Sequence, residues 1–276
     1  MYKKKKYILI YMEDPYSLFK GNPHLKIYYF IGRLNPPHEG HVMALIQMIE
    51  TANADGSVPL ILIGSGPKGL RTMDNPVTFE TKTEFLKYRL PPHLKYAVRP
   101  LKNPLEEVTS WYHDVLPHVN EPQKVSFIRF AGDKGDNATK FKHLDNRFEK
   151  LHAAANSRTV PIKPVMATAS KEMSATIVRK TAYTCLLNQM KGLGDGVSMF
   201  RQQYGKFYGD FCEHIYTEII EVVQGLSPED IQMYVDTTKL PKNKTSKSKK
   251  SGKTSKSKSK KSKGTANSGS SSNNSP

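Results

Sequence analysis

Cysteine is scarce: the chain of 276 residues has two, Cys185 and Cys212. Two thiols can build neither a disulfide framework nor a zinc site made of cysteine. Long apolar runs are missing as well. The longest, residues 7–12, 27–31 and 58–63, are strand-sized, far short of the ~20 residues that a bilayer-spanning helix needs. Residues 7–12 follow a basic cluster, but they are too short for a signal-peptide core, and Glu13, Asp14 and Pro15 end them. The expectation is a soluble intracellular protein with no membrane partner, cytoplasmic, or nuclear if its basic end addresses it there. Acidic residues are absent from 241–276, which hold eleven lysines and so carry +11 of the formal net charge of +17. Lys3 to Lys6 add +4, which leaves +2 for the 234 residues between. The high net charge therefore belongs to the ends, and composition does not make the whole chain a basic nucleic-acid binder.

The near-neutral body alternates between two hydrophobic periods. Strand patterns fall at 26–31, 60–63, 96–98 and 125–130, with a further extended segment at 159–165 broken by prolines. Between them lie helical patterns. Residues 40–52 carry Val42, Leu45, Ile46 and Ile49 at helical spacing, 78–88 start at a capping Thr78, and 105–116 stop at Pro117. Further helices are expected at 138–154, 174–189 and 207–223, the last after a glycine-rich turn at Gly192, Gly194 and Gly196. Strand–helix repetition predicts an α/β fold, a parallel sheet with helices on both faces, and ligands at the carboxyl ends of its strands. Residues 1–26 read as an N-terminal extension, 27–225 as the working domain, 226–240 as a linker and 241–276 as a disordered tail. The tail's Lys, Ser, Thr, Gly and Asn cannot offset the entropy of ordering.

Two segments carry recognisable chemistry. The first follows the strand at 26–31 and runs from Gly32 to His41: Gly-Arg-Leu-Asn-Pro-Pro-His-Glu-Gly-His. It places two histidines, His38 and His41, at a helix start, where free N–H groups and the helix dipole favour an anion. Gly40 lets a ligand approach the backbone. The histidines alone would also fit an ordinary surface loop, and no complete metal ligand set is legible. The second segment opens another helix: Ser174 as N-cap, Thr176 in the first turn and Arg179 one turn on. Hydroxyls, N–H groups and a guanidinium at one spot suit phosphate, because arginine can clamp two oxygens at once.

Together these strings resemble the two signatures of the nucleotidylyltransferase superfamily, His-x-Gly-His and Ile-Ser-x-Thr-x-x-Arg. The Gly-Arg-x-x-Pro form is most similar to the archaeal-type nicotinamide-nucleotide adenylyltransferases. Leu34 stands where the pattern often has Phe. The resemblance implies a Rossmann-like (HUP-type) parallel sheet followed by C-terminal helices. It implies ATP as substrate, Mg²⁺ as the expected cofactor, and small-molecule nucleotides as partners. It makes His38, His41 and Arg179 the catalytic residues, with Gly32, Arg33, Gly40, Ser174 and Thr176 at nucleotide and phosphate. Asp133 and Lys134, in the glycine turn after the strand at 125–130, would meet ribose and phosphate. Ser65 and Asn75 correspond to the family's Ile-Gly-Ser and Asn-Pro-x-Thr segments around the cleft, although Val77 replaces an aromatic residue and the usual Gly-Glu-Arg is not kept. Trp111, the single tryptophan, would stack on the nicotinamide ring; read as a helix residue, it fits a packing role as well.

The implied reaction moves AMP from ATP to nicotinamide mononucleotide, giving NAD and pyrophosphate. Other acceptors of the same superfamily stay open: choline, glycerol or ethanolamine phosphate, or phosphopantetheine, with CTP in place of ATP for some. His38 to His41 together with Lys171 to Ser174 also echo the class I aminoacyl-tRNA synthetases, but the body is too short for a usual anticodon module. A different class of function, non-catalytic contact with nucleic acid or another polyanion, would come from residues 241–276, whose lysines bind phosphate with strong salt dependence but lack aromatic residues for stacking.

Overall fold

The computed structural model describes residues 16–19, 24–64, 70–119, 124–132, 144, 147–148, 155–162 and 174–238. Its frame is a five-stranded, wholly parallel sheet of order β3-β2-β1-β4-β5. The strands are β1 (His24–Gly32), β2 (Leu60–Gly64), β3 (Ala97–Leu101), β4 (Lys124–Gly132) and β5 (Ala155–Ile162). Helices α1 (Glu39–Ala54), α2 (Phe79–Arg89) and α3 (Pro104–Val115) supply the first three crossovers. The chain is thus an α/β, Rossmann-like fold. The expected 159–165 segment is a true strand that starts earlier, and its side-chain surroundings lie outside the described residues.

Alternation along β1 explains how one strand serves two cores. Tyr28 and Phe30 face α1 and α2, together with Ile61, Ile63 and Phe85. Leu25, Ile27, Tyr29 and Ile31 face α3, with Leu60, Leu62 and Trp111. β2 is buried at every position, as expected of a central parallel strand covered on both faces. The sheet winds outward from β1 through β2 to β3, then returns to β4 on the other side of β1. That reversal between β1 and β4 opens a crevice at their carboxyl ends, where Gly32 and Gly132 finish their strands.

Among the described residues four helices follow the sheet: α4 (Ala175–Met190), α5 (Gly196–Tyr208), α6 (Phe211–Glu221) and α7 (Pro228–Thr237). The single helix expected at 207–223 is interrupted. Gly209 takes φ +56°, and a Cβ there would collide with the Tyr88 hydroxyl, so conformation and close packing both require glycine and end α5. The glycine-rich turn ends at Gly196, where α5 begins. Residues 226–240, read as a linker, contain α7, whose Ile231 is buried in the core. Side-chain caps start several of these helices: Thr78 accepts from the Thr81 N–H, Asn103 from Leu105, Ser174 from Ile177, Asp195 from Ser198 and Ser227 from Asp230. Each contributes about 1 kcal/mol. No helix among the described residues is long and apolar enough to cross a membrane.

Candidate functional site

The loop after β1 is held from below before it presents anything to solvent. Leu34 sits in the left-handed region at φ +48° and is nonetheless buried. Such a backbone is costly for leucine, on the order of 1 kcal/mol or more, so its surroundings must hold it. Asn35 does much of that. Its carboxamide is buried, donates to the Asn75 side chain and, at 3.3 Å, to the Val77 carbonyl, and accepts from the Val77 N–H at 2.9 Å. The buried Tyr208 hydroxyl donates to the Pro37 carbonyl at 2.7 Å. Asn75, expected near substrate, is itself 2% exposed and spends its amide on Asn35. There it secures the loop from within the fold.

The pinned loop delivers His38 to the N-cap of α1, in extended conformation. Its main-chain N–H donates to His41 Nδ1 at 3.3 Å, and the two imidazoles stack at 3.6 Å between centroids. Because His41 Nδ1 accepts, the proton of its neutral ring belongs on Nε2, which is left as a donor. Burial pushes His38 down to about 4. Burial, and then the His38 charge, hold His41 well below its ordinary value. Both rings are therefore neutral at pH 7 and serve as aimed dipoles, with cationic forms reached only against an anion. Gly40 is exposed one residue before His41, and a Cβ there would lie 3.2 Å from His38 Cε1. Glycine keeps the approach to the helix N-terminus open.

The second segment closes on this loop. Ser174 caps α4 by accepting from the Ile177 N–H at 3.3 Å. Arg179 is 7% exposed and reaches across 144 positions of sequence to donate from Nη1 to the Asn35 carbonyl at 2.6 Å. Its Nη2 donates to Asp74 at 3.3 Å and to the Thr176 hydroxyl at 3.4 Å, and its buried Nε has no partner among the described residues. Through Arg179, with Thr176 beside it, the helix that Ser174 caps is tied to the loop that leads into His38, Gly40 and His41. Gly32 ends β1, and Arg33 is exposed beside it.

Sequence reasoning missed a buried cation near the same edge. Lys82, on α2, is fully buried and donates from Nζ to the Gly64 carbonyl at the end of β2, at 3.1 Å. Burial pulls its pKa down to about 7; Glu218 opposes that fall and Arg33 deepens it. Its position relative to Phe85 and Leu86, three and four residues on, marks it as core-facing, and that spacing was a readable signal. Glu218 holds the N-terminus of α2, accepting from the Thr78 N–H at 2.9 Å, the Thr78 hydroxyl at 2.7 Å and the Thr81 hydroxyl at 2.8 Å.

Trp111 lies in the second core. It is 1% exposed on the α3 face, with the Arg99 guanidinium 5.1 Å from its ring centroid. Enclosed there, the ring packs α3 against the sheet. Ser65, Asp133 and Lys134 lie outside the described residues, as do residues 1–15, 170–173 and 241–276 and most of 138–154. Among the described residues no group of three or more His, Cys, Asp or Glu could hold a metal ion.

No protein-family model matches the sequence. No curated protein matches it either. Among solved structures, the chain is similar to a bifunctional NMN adenylyltransferase/ADP ribose pyrophosphatase from Francisella tularensis, at 16% identity and a TM-score of 0.42. The match covers 79% of this chain and 58% of that protein, so the chain spans little more than half of its length. A likeness this slight decides nothing about chemistry, which rests on the residues themselves.

Proposed function

We propose that this chain is a nucleotidyltransferase that moves AMP from ATP to nicotinamide mononucleotide, forming NAD and releasing pyrophosphate. The observation that supports the reading most is the contact of Arg179 with the Asn35 carbonyl, which ties the helix capped by Ser174 to the loop before His38. The adenylyl acceptor follows from the resemblance of the 32–41 and 174–179 strings to the archaeal-type enzymes.

The reaction needs little from the protein beyond position and charge. An oxygen of the acceptor phosphate attacks the α-phosphorus of ATP, the bond from that phosphorus to the β-phosphate oxygen breaks, and pyrophosphate leaves. The attacking group is already an anion, so no strong base is required. A thiol intermediate is disfavoured here: Cys185 and Cys212 are buried, and burial pushes both pKa values up, Cys212 to about 11. The neutral His41 Nε2–H and the free N–H groups of α1 donate to the α-phosphate oxygens as their charge grows. Arg179 meets the leaving pyrophosphate. Such preorganised donors act in a site already built, and removing one typically costs ~10²–10³ in turnover.

The tail at 241–276 is proposed to act separately, as a polyanion contact or address. The test of the main reading is a panel of phosphate acceptors with ATP or CTP, scored by pyrophosphate release. Turnover with ATP and nicotinamide mononucleotide that vanishes in His41→Ala supports it. Pyrophosphate released only with CTP, or with none of the acceptors, would sink it.

A further inference from the structure

Asp74 belongs to neither phosphate motif, yet it touches the arginine that serves them. One carboxylate oxygen, Oδ1, accepts from Arg179 Nη2 at 3.3 Å and from the Tyr234 hydroxyl at 2.6 Å. Tyr234 stands on α7, the last described helix, 160 positions away from Asp74. The neighbouring Met73 carbonyl accepts from the Tyr183 hydroxyl on α4 at 3.2 Å and lies 3.3 Å from the Tyr234 oxygen, whose single proton goes to Asp74. Those two rings meet edge to face, 5.4 Å apart at 87°. Residues 73–74 are therefore clamped between α4 and α7.

The Asp74 side chain is 63% exposed, whereas that of Arg179 is only 8% exposed. An ion pair with one open partner holds geometry weakly, because its carboxylate can turn to water. The tyrosine hydroxyl removes that freedom by fixing the oxygen that Arg179 uses. Burial, then the hydrogen bond to Asp74, raise the Tyr234 pKa above the ordinary phenol value, so it remains a donor at neutral pH. With Nη1 on the Asn35 carbonyl and Nη2 on Asp74, the guanidinium plane is set at two corners. The buried Nε, unpartnered among the described residues, is then a donor held in one direction.

We infer that Asp74 and Tyr234 are positioning residues for Arg179, and that α7 is thereby a working part of the phosphate site. The inference rests on the proposed phosphate role of Arg179. A carboxylate acting through an arginine, and a tyrosine acting through that carboxylate, should affect the ATP end of the reaction while leaving the acceptor end alone.

The test uses the full chain and the variants Tyr234→Phe, Asp74→Asn and Arg179→Lys, with Tyr234→Phe also placed on Arg179→Lys. Tyr234→Phe and Asp74→Asn should each lower kcat/KM for ATP on the order of tenfold, less than the ~10²–10³ of losing the clamp itself. KM for nicotinamide mononucleotide should stay within about twofold. On Arg179→Lys, adding Tyr234→Phe should change kcat/KM by less than about twofold, because residues acting through one another do not add. An equal loss on both backgrounds, wild-type kinetics in both single variants, or a gain in ATP affinity in Asp74→Asn would overturn the inference. A readout independent of turnover is the ¹⁵N–¹H resonance of the Arg179 Nε–H. It should be sharp in the parent and broadened in Tyr234→Phe, and an unchanged resonance contradicts the proposed link. If the parent protein turns over no acceptor, the functional reading fails while this resonance still judges the positioning.

Discussion

Arg179 donates from its guanidinium to the Asn35 main-chain carbonyl at 2.6 Å, so the helix that Ser174 caps rests on the loop that delivers His38 and His41 to another. Loop and arginine are mutual supports. The first prediction follows directly. Arg179→Lys keeps the charge but loses the planar fork, and it should reduce kcat by about 10²–10³. Steady-state rates with ATP check this; a loss below fivefold would mean that the guanidinium geometry does not matter.

Asn35 should be more important to stability than its polarity suggests. Asn35→Ala leaves the Val77 N–H and the Asn75 carboxamide without buried partners, at a cost of about 1–3 kcal/mol for each group left unpaired. Chemical denaturation measures it. The Arg179 contact uses the main chain, so some activity should survive wherever the variant folds.

Stability should rise with pH in two separate windows. His38 has a folded pKa of about 4 against 6.5 for the free group. Between those values the unfolded chain binds more protons, so stability is present above about 6.5 and lost as pH falls towards 4. Lys82 follows the same sign higher up, with about 7 folded against 10.5 free. Its penalty is complete below pH 7 and fades towards pH 10.5. Lys82→Met should therefore raise the unfolding midpoint at pH 7 and change it less at pH 10. A larger gain at pH 10 would show that the lysine is not held near neutrality.

Trp111 separates packing from substrate contact. Trp111→Ala should cost about 3–5 kcal/mol, as removal of a buried large aromatic does. Trp111→Phe should lower the unfolding midpoint and leave KM for nicotinamide mononucleotide within about twofold. A several-fold rise in that KM at unchanged stability would restore the ring to the substrate.

A chain ending at residue 240 tests whether the basic tail is separable. Turnover should persist, while binding to RNA or another polyanion should disappear together with its steep salt dependence. Loss of both activities would tie the tail to the catalytic body.

Local signals carried the sequence reading furthest. The β1 strand, the His38–His41 helix start and the Ser174 cap are each written in a short window, and their local structure could be read there. Which face of the sheet received Trp111 was not local, because a helix tryptophan looks the same over a ligand and over a core. The break at Gly209 depended on the Tyr88 hydroxyl, 121 positions earlier. Asp74 gave no warning of its meeting with Arg179 and Tyr234, since its flanks read as a turn and its partners lie on helices more than a hundred residues away. Lys82 was the readable exception, a lysine at core spacing with Phe85 and Leu86.

The central claim is that the joined helix starts bind ATP and transfer its adenylyl group. The most direct measurement is NAD formed from ATP and nicotinamide mononucleotide by the full chain, His41→Ala and Arg179→Lys, followed by chromatography. The account predicts NAD and pyrophosphate in equal amounts from the parent and a drop of about 10²–10³ in both variants. No NAD from the folded parent, or equal NAD from His41→Ala, would contradict it.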